Sequence, residues 1–199
     1  MIKLYGHELS GNSYKVKLLL CLLKLDFEWI KVDLMQGAHK APEFLQLNPF
    51  GQVPVLIDDN QIISDAQAIL VYIARQYGGE EWLPLDAVSL SQVVRWLSTT
   101  AGEVRQGPEN ARLYYLFNAT TINIERATQK SEFILTQLNN HLKERQWLEF
   151  ERPTIADIAV FPYVALAADG KIDLAPYPNV LAWIERVKQL SGYVPMLGL

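Results

Sequence analysis

Three side chains that could stabilise a negative charge lie close together near the start of the chain: Ser10, Asn12 and Ser13. They stand between a predicted first strand and a predicted first helix. In an open α/β sheet, ligands bind at strand ends and against helix N-termini, where the partial positive charge of the helix favours an anion. A thiolate or another anion could be held here, with the Ser10 hydroxyl donating a hydrogen bond. The competing interpretation is that these residues only cap the helix.

A second candidate is the stretch Asn48–Leu56, Asn-Pro-Phe-Gly-Gln-Val-Pro-Val-Leu. Pro54 precedes a short apolar strand, and proline is tolerated at the first residue of a strand, at an edge or at a bulge. A cis Val53–Pro54 bond, which costs only about 0.5–1 kcal/mol before proline, would leave the N–H and C=O of Val53 unpaired. An extended peptide could then pair with them as an added strand. The alternative is an ordinary proline turn.

A third candidate is the helix start at Ser64, Asp65 and Ala66. Serine and aspartate are favoured there because their side chains accept hydrogen bonds from the free N–H groups of the first turn. A helix start is also a site for an anion. The pattern alone fits either a cap or a ligand contact.

The elements that would position these residues form a small α/β unit. A β-α-β segment and a loop are followed by a β-β-α segment, with the predicted first helix beginning at Tyr14 after a loop from His7 to Ser13. We predict this unit over residues 1–77 and a linker rich in glycine and proline over 78–88. Residues 89–199 contain no convincing strand and are predicted to form an all-helical domain.

Within the helical half, the pattern predicts a helix over residues 89–104, an interruption at Gly107 and Pro108, and a long helix over 121–147. Thr154 and Asp157 have the spacing of a capping box at the start of a further helix. A pocket is expected between the two halves. The helix and loop that would face it carry Glu103, Arg105, Arg112, Tyr114 and Tyr115, although a solvated helix face is the more common explanation for each of these residues singly.

Composition excludes several classes of function. A net charge of −4 over 199 residues argues against a nucleic-acid-binding protein, which needs a basic surface. The single cysteine, Cys21, excludes an internal disulfide and a cysteine-based metal cluster, and no metal site is predicted. The longest uncharged apolar run, Leu18–Leu23, is too short to span a bilayer, and the N-terminus lacks the layout of a signal peptide. A cytoplasmic protein without a membrane partner is expected.

Three stretches together resemble the cytosolic glutathione transferases, and in particular the serine-type, bacterial-like members of that family. They are Ser10-Gly-Asn-Ser-Tyr-Lys-Val, the run from Pro42 to Leu56, and Ser64-Asp-Ala-Gln-Ala-Ile-Leu-Val-Tyr-Ile-Ala. The resemblance covers nearly the whole chain. It implies a thioredoxin-like α/β N-terminal domain, an all-α C-terminal domain, glutathione as co-substrate and a homodimer.

The resemblance also implies roles for single residues. Ser10, with Asn12 and Ser13 as rivals, matches the group that stabilises the glutathione thiolate, and Val53 with Pro54 matches the segment that pairs with the cysteinyl part. The remaining contacts to glutathione fall on His39, Lys40, Gln52, Asp65 and Ala66. Ala66 departs from the family, which usually has Ser or Thr there; the missing hydroxyl contact to a charged group costs about 1.5–3 kcal/mol.

We therefore predict a glutathione transferase that activates the thiol for attack on a small electrophilic substrate, an activity associated with detoxification. Two alternatives stay open. One is a glutathione-dependent isomerase, dehalogenase or disulfide reductase, which would share the thiolate and differ in the second pocket. The other is a non-catalytic module that uses the same fold for protein contacts.

Overall fold

The computed structural model describes all 199 residues. Its N-terminal part contains a four-stranded sheet in the order β2-β1-β3-β4, made of β1 (Ile2–Gly6), β2 (Phe27–Lys31), β3 (Val55–Asp58) and β4 (Gln61–Ser64). Strand β1 runs parallel to β2 and antiparallel to β3, and β3 is antiparallel to β4. The parallel pair is joined by helix α1 (Gly11–Leu22). This mixed sheet with its crossover helix is the predicted thioredoxin-like arrangement.

Helices cover both faces of the sheet because alternate strand residues are apolar on both sides. Leu4 and Leu56 belong to the main core, which also contains residues of α1 and of α3 (Ala66–Ile73). On the opposite face, Val55 joins a smaller cluster with Phe44 of α2 (Pro42–Leu47).

The remainder of the chain is helical, as predicted. Its helices are α4 (Gly79–Trp82), α5 (Ala87–Thr99), α6 (Asn110–Leu116), α7 (Ile124–His141), α8 (Ile155–Ala165) and α9 (Pro178–Lys188). The main core of 41 buried residues includes residues of β1, α1 and α3 together with residues of α5, α7, α8 and α9. The two parts therefore share one continuous core. The division at residues 78–88 stays a prediction; that segment contains α4 and the start of α5.

In the helical part, two helices differ from the predictions. Residues Thr100–Glu109 continue the chain of α5 as a wide π-helix that contains Pro108, so the predicted interruption at Gly107 and Pro108 is wrong. The N–H of Asn110 bonds to the carbonyl of Arg105, five residues back, and this wider spacing accommodates a residue that has no N–H of its own.

The long helix predicted over residues 121–147 is shorter: it runs over Ile124–His141, followed by one 3₁₀ turn at Leu142–Glu144. Beyond it, the main-chain N–H of Leu148 donates to the buried Asp157 carboxylate at 3.0 Å. The predicted capping box of Thr154 and Asp157 is confirmed. None of the helices combines the length and apolarity that crossing a membrane requires.

Candidate active site

A cavity of about 720 Å³ lies between the α/β part and the helical part, within the usual size of small-molecule sites. Its walls come from the start of α1, the turn before β3, the start of α3, the 3₁₀ turn Ala38–Lys40, and residues of the helical part. Except for Ser13, the residues that the sequence proposed as catalytic or glutathione-binding line this one cavity: Ser10, Asn12, His39, Lys40, Gln52, Val53, Pro54, Asp65 and Ala66.

Ser10 is the N-cap of α1, and its Oγ accepts a hydrogen bond from the main-chain N–H of Ser13 at 3.2 Å. The helix begins at Gly11, three residues before the predicted start at Tyr14, because this cap satisfies its first turn. A Cβ on Gly11 would lie 2.8 Å from the Tyr163 ring, so the close packing of the helix start requires glycine. The Ser10 O–H makes no hydrogen bond within the chain and is available to a ligand.

Asn12 and Ser13, the two rivals of Ser10, have different surroundings. Ser13 is fully buried, its Oγ accepts from the main-chain N–H of His7 at 3.3 Å, and it does not line the cavity. Asn12 is half-buried and lines the cavity beside Ser10. The geometry therefore leaves Ser10 and Asn12 as the two groups able to face a ligand at the start of α1.

The Val53–Pro54 peptide bond is cis. The main-chain N–H and C=O of Val53 make no hydrogen bond within the chain, as the sequence predicted. Buried Asn48 holds the preceding turn: its Nδ2 donates to the carbonyl of Gln52 at 2.8 Å, and its Oδ1 accepts from the N–H of Phe50 at 3.1 Å. An extended peptide lying along the cavity would find a free strand edge at Val53.

Lys40 and His39 lie at the rim beside this turn. The Lys40 ammonium donates to the carbonyls of Phe50 (3.1 Å) and Gly51 (3.0 Å). It therefore stabilises the turn and also places a positive charge at the cavity rim. The Nδ1 of His39 is buried without a hydrogen-bond partner. Desolvation lowers the pKa of His39, and the Lys40 charge lowers it further. The lowered pKa favours the uncharged imidazole of His39 at neutral pH.

Asp65 is the N-cap of α3, with its Oδ1 accepting from the N–H groups of Gln67 (2.9 Å) and Ala68 (3.0 Å). Its φ of 76° lies in the left-handed region that non-glycine residues seldom adopt. The main-chain N–H of Ala66 has no partner within the chain. Asp65 and Ala66 thus present a carboxylate and a free N–H at the same helix start.

The wall contributed by the helical part is only partly the predicted one. Arg105 and Arg112 line the cavity, with apolar Leu113 and Phe117 beside them. The other three predicted residues do not line it: Glu103 pairs with Lys130 at 2.9 Å, and Tyr114 packs edge-on against Tyr115. The π-helix before α6 has more residues per turn than an α-helix. Because this changes the direction of the side chains that follow, α-helical spacing alone does not tell which of them face the cavity.

A buried polar cluster that the sequence did not reveal lies at the cavity wall, where Glu109 and Tyr163 are lining residues. Lys15 is fully buried, with its Nζ 5.0 Å from the centre of the Tyr163 ring, while Glu109 is 8% and Tyr163 3% exposed. Burial lowers the pKa of Lys15 to about 8, against the opposing charges of Glu109 and Asp65. Burial raises the pKa of Glu109, and the charges of Lys15 and Arg105 oppose that shift. The available signal was Lys15 at the start of the largely apolar helix α1.

No group of three or more His, Cys, Asp or Glu side chains is arranged to hold a metal ion. Cys21, the only cysteine, lies in α1 and does not line the cavity.

Comparison with known proteins agrees with this geometry. The family model described as the glutathione S-transferase N-terminal domain matches residues 1–75, and that of the C-terminal domain matches residues 123–186. The chain is 32% identical to glutathione S-transferase 3 of Zea mays, over 94% of this chain and 88% of that protein. It is 31% identical to the disulfide-bond oxidoreductase YfcG of Escherichia coli, over 94% of this chain and 90% of the relative.

Among solved structures, a glutathione S-transferase from Pseudomonas fluorescens superposes with a TM-score of 0.92 at 32% identity, covering 98% of both chains. The two domain matches, the relatives that align over nearly the whole chain and the shared fold all indicate the same family. The chain belongs to the glutathione S-transferase family.

Proposed function

We propose that the protein binds glutathione in the cavity and activates its thiol at the start of α1 for attack on a small electrophile. The observation that carries this proposal is Ser10: its Oγ caps the helix as an acceptor while its O–H stays free at the cavity wall. A free thiol has a pKa of about 8.5 and is mostly protonated at pH 7. A donated hydrogen bond and the positive end of α1 would both lower that pKa.

The remaining cavity residues fit the parts of glutathione. The free N–H and C=O of Val53 would pair with the cysteinyl unit as an added strand. Asp65 would meet the γ-glutamyl amino group, and the Ala66 N–H would meet the γ-glutamyl carboxylate. His39, Lys40 and Gln52 would surround the glycine end, with His39 donating a hydrogen bond rather than supplying a charge. The electrophile would lie against Leu113 and Phe117, where Arg105 adds a positive charge.

Disulfide reduction is the second candidate, because the relative at 31% identity over 94% of this chain is named a disulfide-bond oxidoreductase. In that reaction a glutathione thiolate attacks one sulfur of the substrate disulfide and releases a thiolate. A second glutathione then attacks the mixed disulfide, yielding oxidised glutathione and the second substrate thiol. A related structure from Lodderomyces elongisporus, 25% identical, is described with two glutathione molecules per subunit. No cysteine of this chain lines the cavity, so both electrons would come from glutathione.

Three measurements test these alternatives. Calorimetric titration with glutathione should give a binding heat; no binding at millimolar glutathione would contradict the enzyme and favour the non-catalytic module. Turnover of a chloronitroaromatic substrate then tests the transferase. Turnover of a small disulfide, followed as oxidised glutathione, tests the reductase. We also propose a homodimer, which gel filtration would check; the cytoplasmic location stays a prediction.

A further inference from the structure

The Asn12 side chain is bonded at both ends by buried charged residues. The Lys15 Nζ donates to Asn12 Oδ1 at 2.8 Å, and Asn12 Nδ2 donates to Glu109 Oε1 at 3.3 Å. Lys15 follows three residues later in α1, whereas Glu109 comes from the π-helix of the other part of the molecule, 97 positions away in sequence. Lys15 is fully buried and Glu109 is 8% exposed.

These two neighbours determine which way the amide faces. An ammonium group can only donate hydrogen bonds, and a carboxylate can only accept them. With the amide reversed, the Lys15 donors would face the NH₂ group and the Glu109 acceptor would face the carbonyl oxygen. Both hydrogen bonds would be lost among buried charges, which is costly. The amide oxygen is therefore held on the Lys15 side and the NH₂ group on the Glu109 side.

One proton of Asn12 Nδ2 has no acceptor within the chain, and Asn12 lines the cavity beside Ser10. We propose that Lys15 and Glu109 are positioning residues, which orient the Asn12 amide so that this proton is donated to the sulfur of bound glutathione. This inference rests on the proposed function. It gives the start of α1 two donors for the thiolate, the Ser10 hydroxyl and the Asn12 amide.

The burial of the two charges favours this role over a purely structural one. Removing ions from water is expensive, and apolar residues of similar volume fill a core at least as well. The charged groups that face Glu109 are Lys15 and Arg105, and those that act on Lys15 are Glu109, Asp65 and Arg105.

The decisive measurement is the pKa of glutathione bound to the purified protein, followed by the ultraviolet absorbance of the thiolate across pH. Glu109→Leu removes the acceptor for Asn12. If Glu109 acted only through its charge, its removal would lower the thiol pKa, because a negative charge disfavours a nearby thiolate. The positioning role requires the opposite sign: we expect the thiol pKa to rise by about one unit, as for loss of a hydrogen bond to a charged group.

A double-mutant cycle separates Glu109 from Asn12. Asn12→Ala alone should raise the thiol pKa, and the double variant Asn12→Ala/Glu109→Leu should raise it no further. Glu109→Gln keeps an acceptor oxygen but loses the negative charge, so the thiol pKa should stay at the wild-type value or fall below it, and it should not rise. An unchanged or lowered pKa in Glu109→Leu, additive shifts in the double variant, or a rise in Glu109→Gln as large as in Glu109→Leu would overturn the inference.

The matched control is Glu103→Gln, which removes a charge from the same π-helix but away from the cavity, where Glu103 pairs with Lys130. It should leave the thiol pKa unchanged; a rise equal to that of Glu109→Leu would contradict the role of Asn12.

If the wild-type protein binds no glutathione, the proposed function fails and this inference with it. If the wild type forms bound thiolate but Glu109→Leu does not shift it, this inference alone fails.

A measurement on the wild-type protein covers the case in which Glu109→Leu does not fold. Nuclear magnetic resonance resolves the two Nδ2 protons of Asn12, assigned by their loss in Asn12→Ala. On adding glutathione we expect a marked shift of one proton and little change in the other, which stays bonded to Glu109. Equal shifts of both protons, or no shift of either, would overturn the inference.

Discussion

The Arg112 guanidinium in α6 donates from Nη1 to the main-chain carbonyl of Leu9 at 2.7 Å. Leu9 immediately precedes the candidate catalytic Ser10, so a residue of the helical part holds the loop that presents the hydroxyl. Arg112 is 1% exposed and is held in turn by Asp169, whose Oδ2 accepts from Nε at 2.9 Å. The position of Ser10 therefore depends on the packing of both parts of the molecule.

Replacing Arg112 with Met should lower both stability and activity. The Leu9 carbonyl would lose its partner and Asp169 its counter-charge, at a cost of about 2 kcal/mol in the free energy of unfolding. Urea unfolding measures the first effect, and glutathione-dependent turnover of the chloronitroaromatic substrate measures the second. Lys188→Met removes an ion pair with Glu185 on the surface of α9. It should change the free energy of unfolding by no more than about 0.5 kcal/mol and leave the turnover unchanged. Equal losses of stability and turnover in Arg112→Met and Lys188→Met would contradict the role of Arg112 in holding the Ser10 loop.

Ser10 variants should separate the helix cap from the thiolate contact. Ser10→Ala loses both, so we expect the free energy of unfolding to fall by about 1 kcal/mol and kcat/KM to fall about 10- to 100-fold, the equivalent of a lost hydrogen bond to a charged group. Ser10→Asp keeps a capping acceptor but places a negative charge beside the sulfur. It should keep most of the stability and still lose the activity.

The control for Ser10 is Asp86→Ala, which removes the cap of α5, where Asp86 accepts from the N–H of Ser89 at 2.9 Å. This variant should lose the stability that the helix cap contributes, with the thiol pKa of bound glutathione unchanged. Full activity in Ser10→Ala, or a loss of activity in Asp86→Ala that matches its loss of stability, would count against a direct contact between Ser10 and the sulfur.

The features that sequence predicted well are those decided by near neighbours. Asp65 and the box of Thr154 and Asp157 cap helices within three residues of themselves. The free main chain of Val53 follows from its proline and the turn before it. Such features are determined by residues that are close in sequence, because a capping side chain reaches only the first turn of its own helix.

The features that sequence did not reveal depend on contacts between distant parts of the chain. Glu109 reaches Asn12 across 97 positions, and Arg112 reaches Leu9 across 103. Gly11 and Asn12 have turn-forming composition, yet they open α1 because Ser10 caps it and the Tyr163 ring packs against the glycine. Local propensity is overridden there by tertiary packing, so neither the helix start nor the polar cluster could be derived from spacing.

Ala66→Ser should tighten glutathione binding. Ala66 lines the cavity at the start of α3 and is 3% exposed, and a hydroxyl there would add a hydrogen bond to the γ-glutamyl carboxylate. A bond to a charged group contributes about 1.5–3 kcal/mol, so calorimetry should report a Kd at least about tenfold lower. Ala68→Ser adds the same hydroxyl two positions on, outside the cavity, and should leave the Kd unchanged. An unchanged Kd in Ala66→Ser would contradict the assigned orientation of glutathione.

The buried Lys15 should make stability depend on alkaline pH. Its pKa falls from 10.5 to about 8 in the folded protein, so between these values the unfolded chain binds more protons than the native one. Stability rises with pH wherever the unfolded state binds more protons. The contribution of Lys15 to the free energy of unfolding should therefore increase as pH rises from about 8 towards 10.5, by up to about 3 kcal/mol.

The comparison that isolates this effect is the double variant Lys15→Met/Glu109→Gln, which keeps the side-chain volumes and removes both charges. Buried ion pairs replaced by neutral groups of similar size often cost no stability, so we expect the variant to be at least as stable as the wild type at pH 7. Its advantage should shrink as pH rises above 8, since the wild type gains the Lys15 contribution that the variant lacks. Urea unfolding at a series of pH values measures both curves. If the free energies of unfolding of the two proteins change in parallel from pH 8 to pH 10, Lys15 has its ordinary pKa in the folded protein and its burial costs no stability.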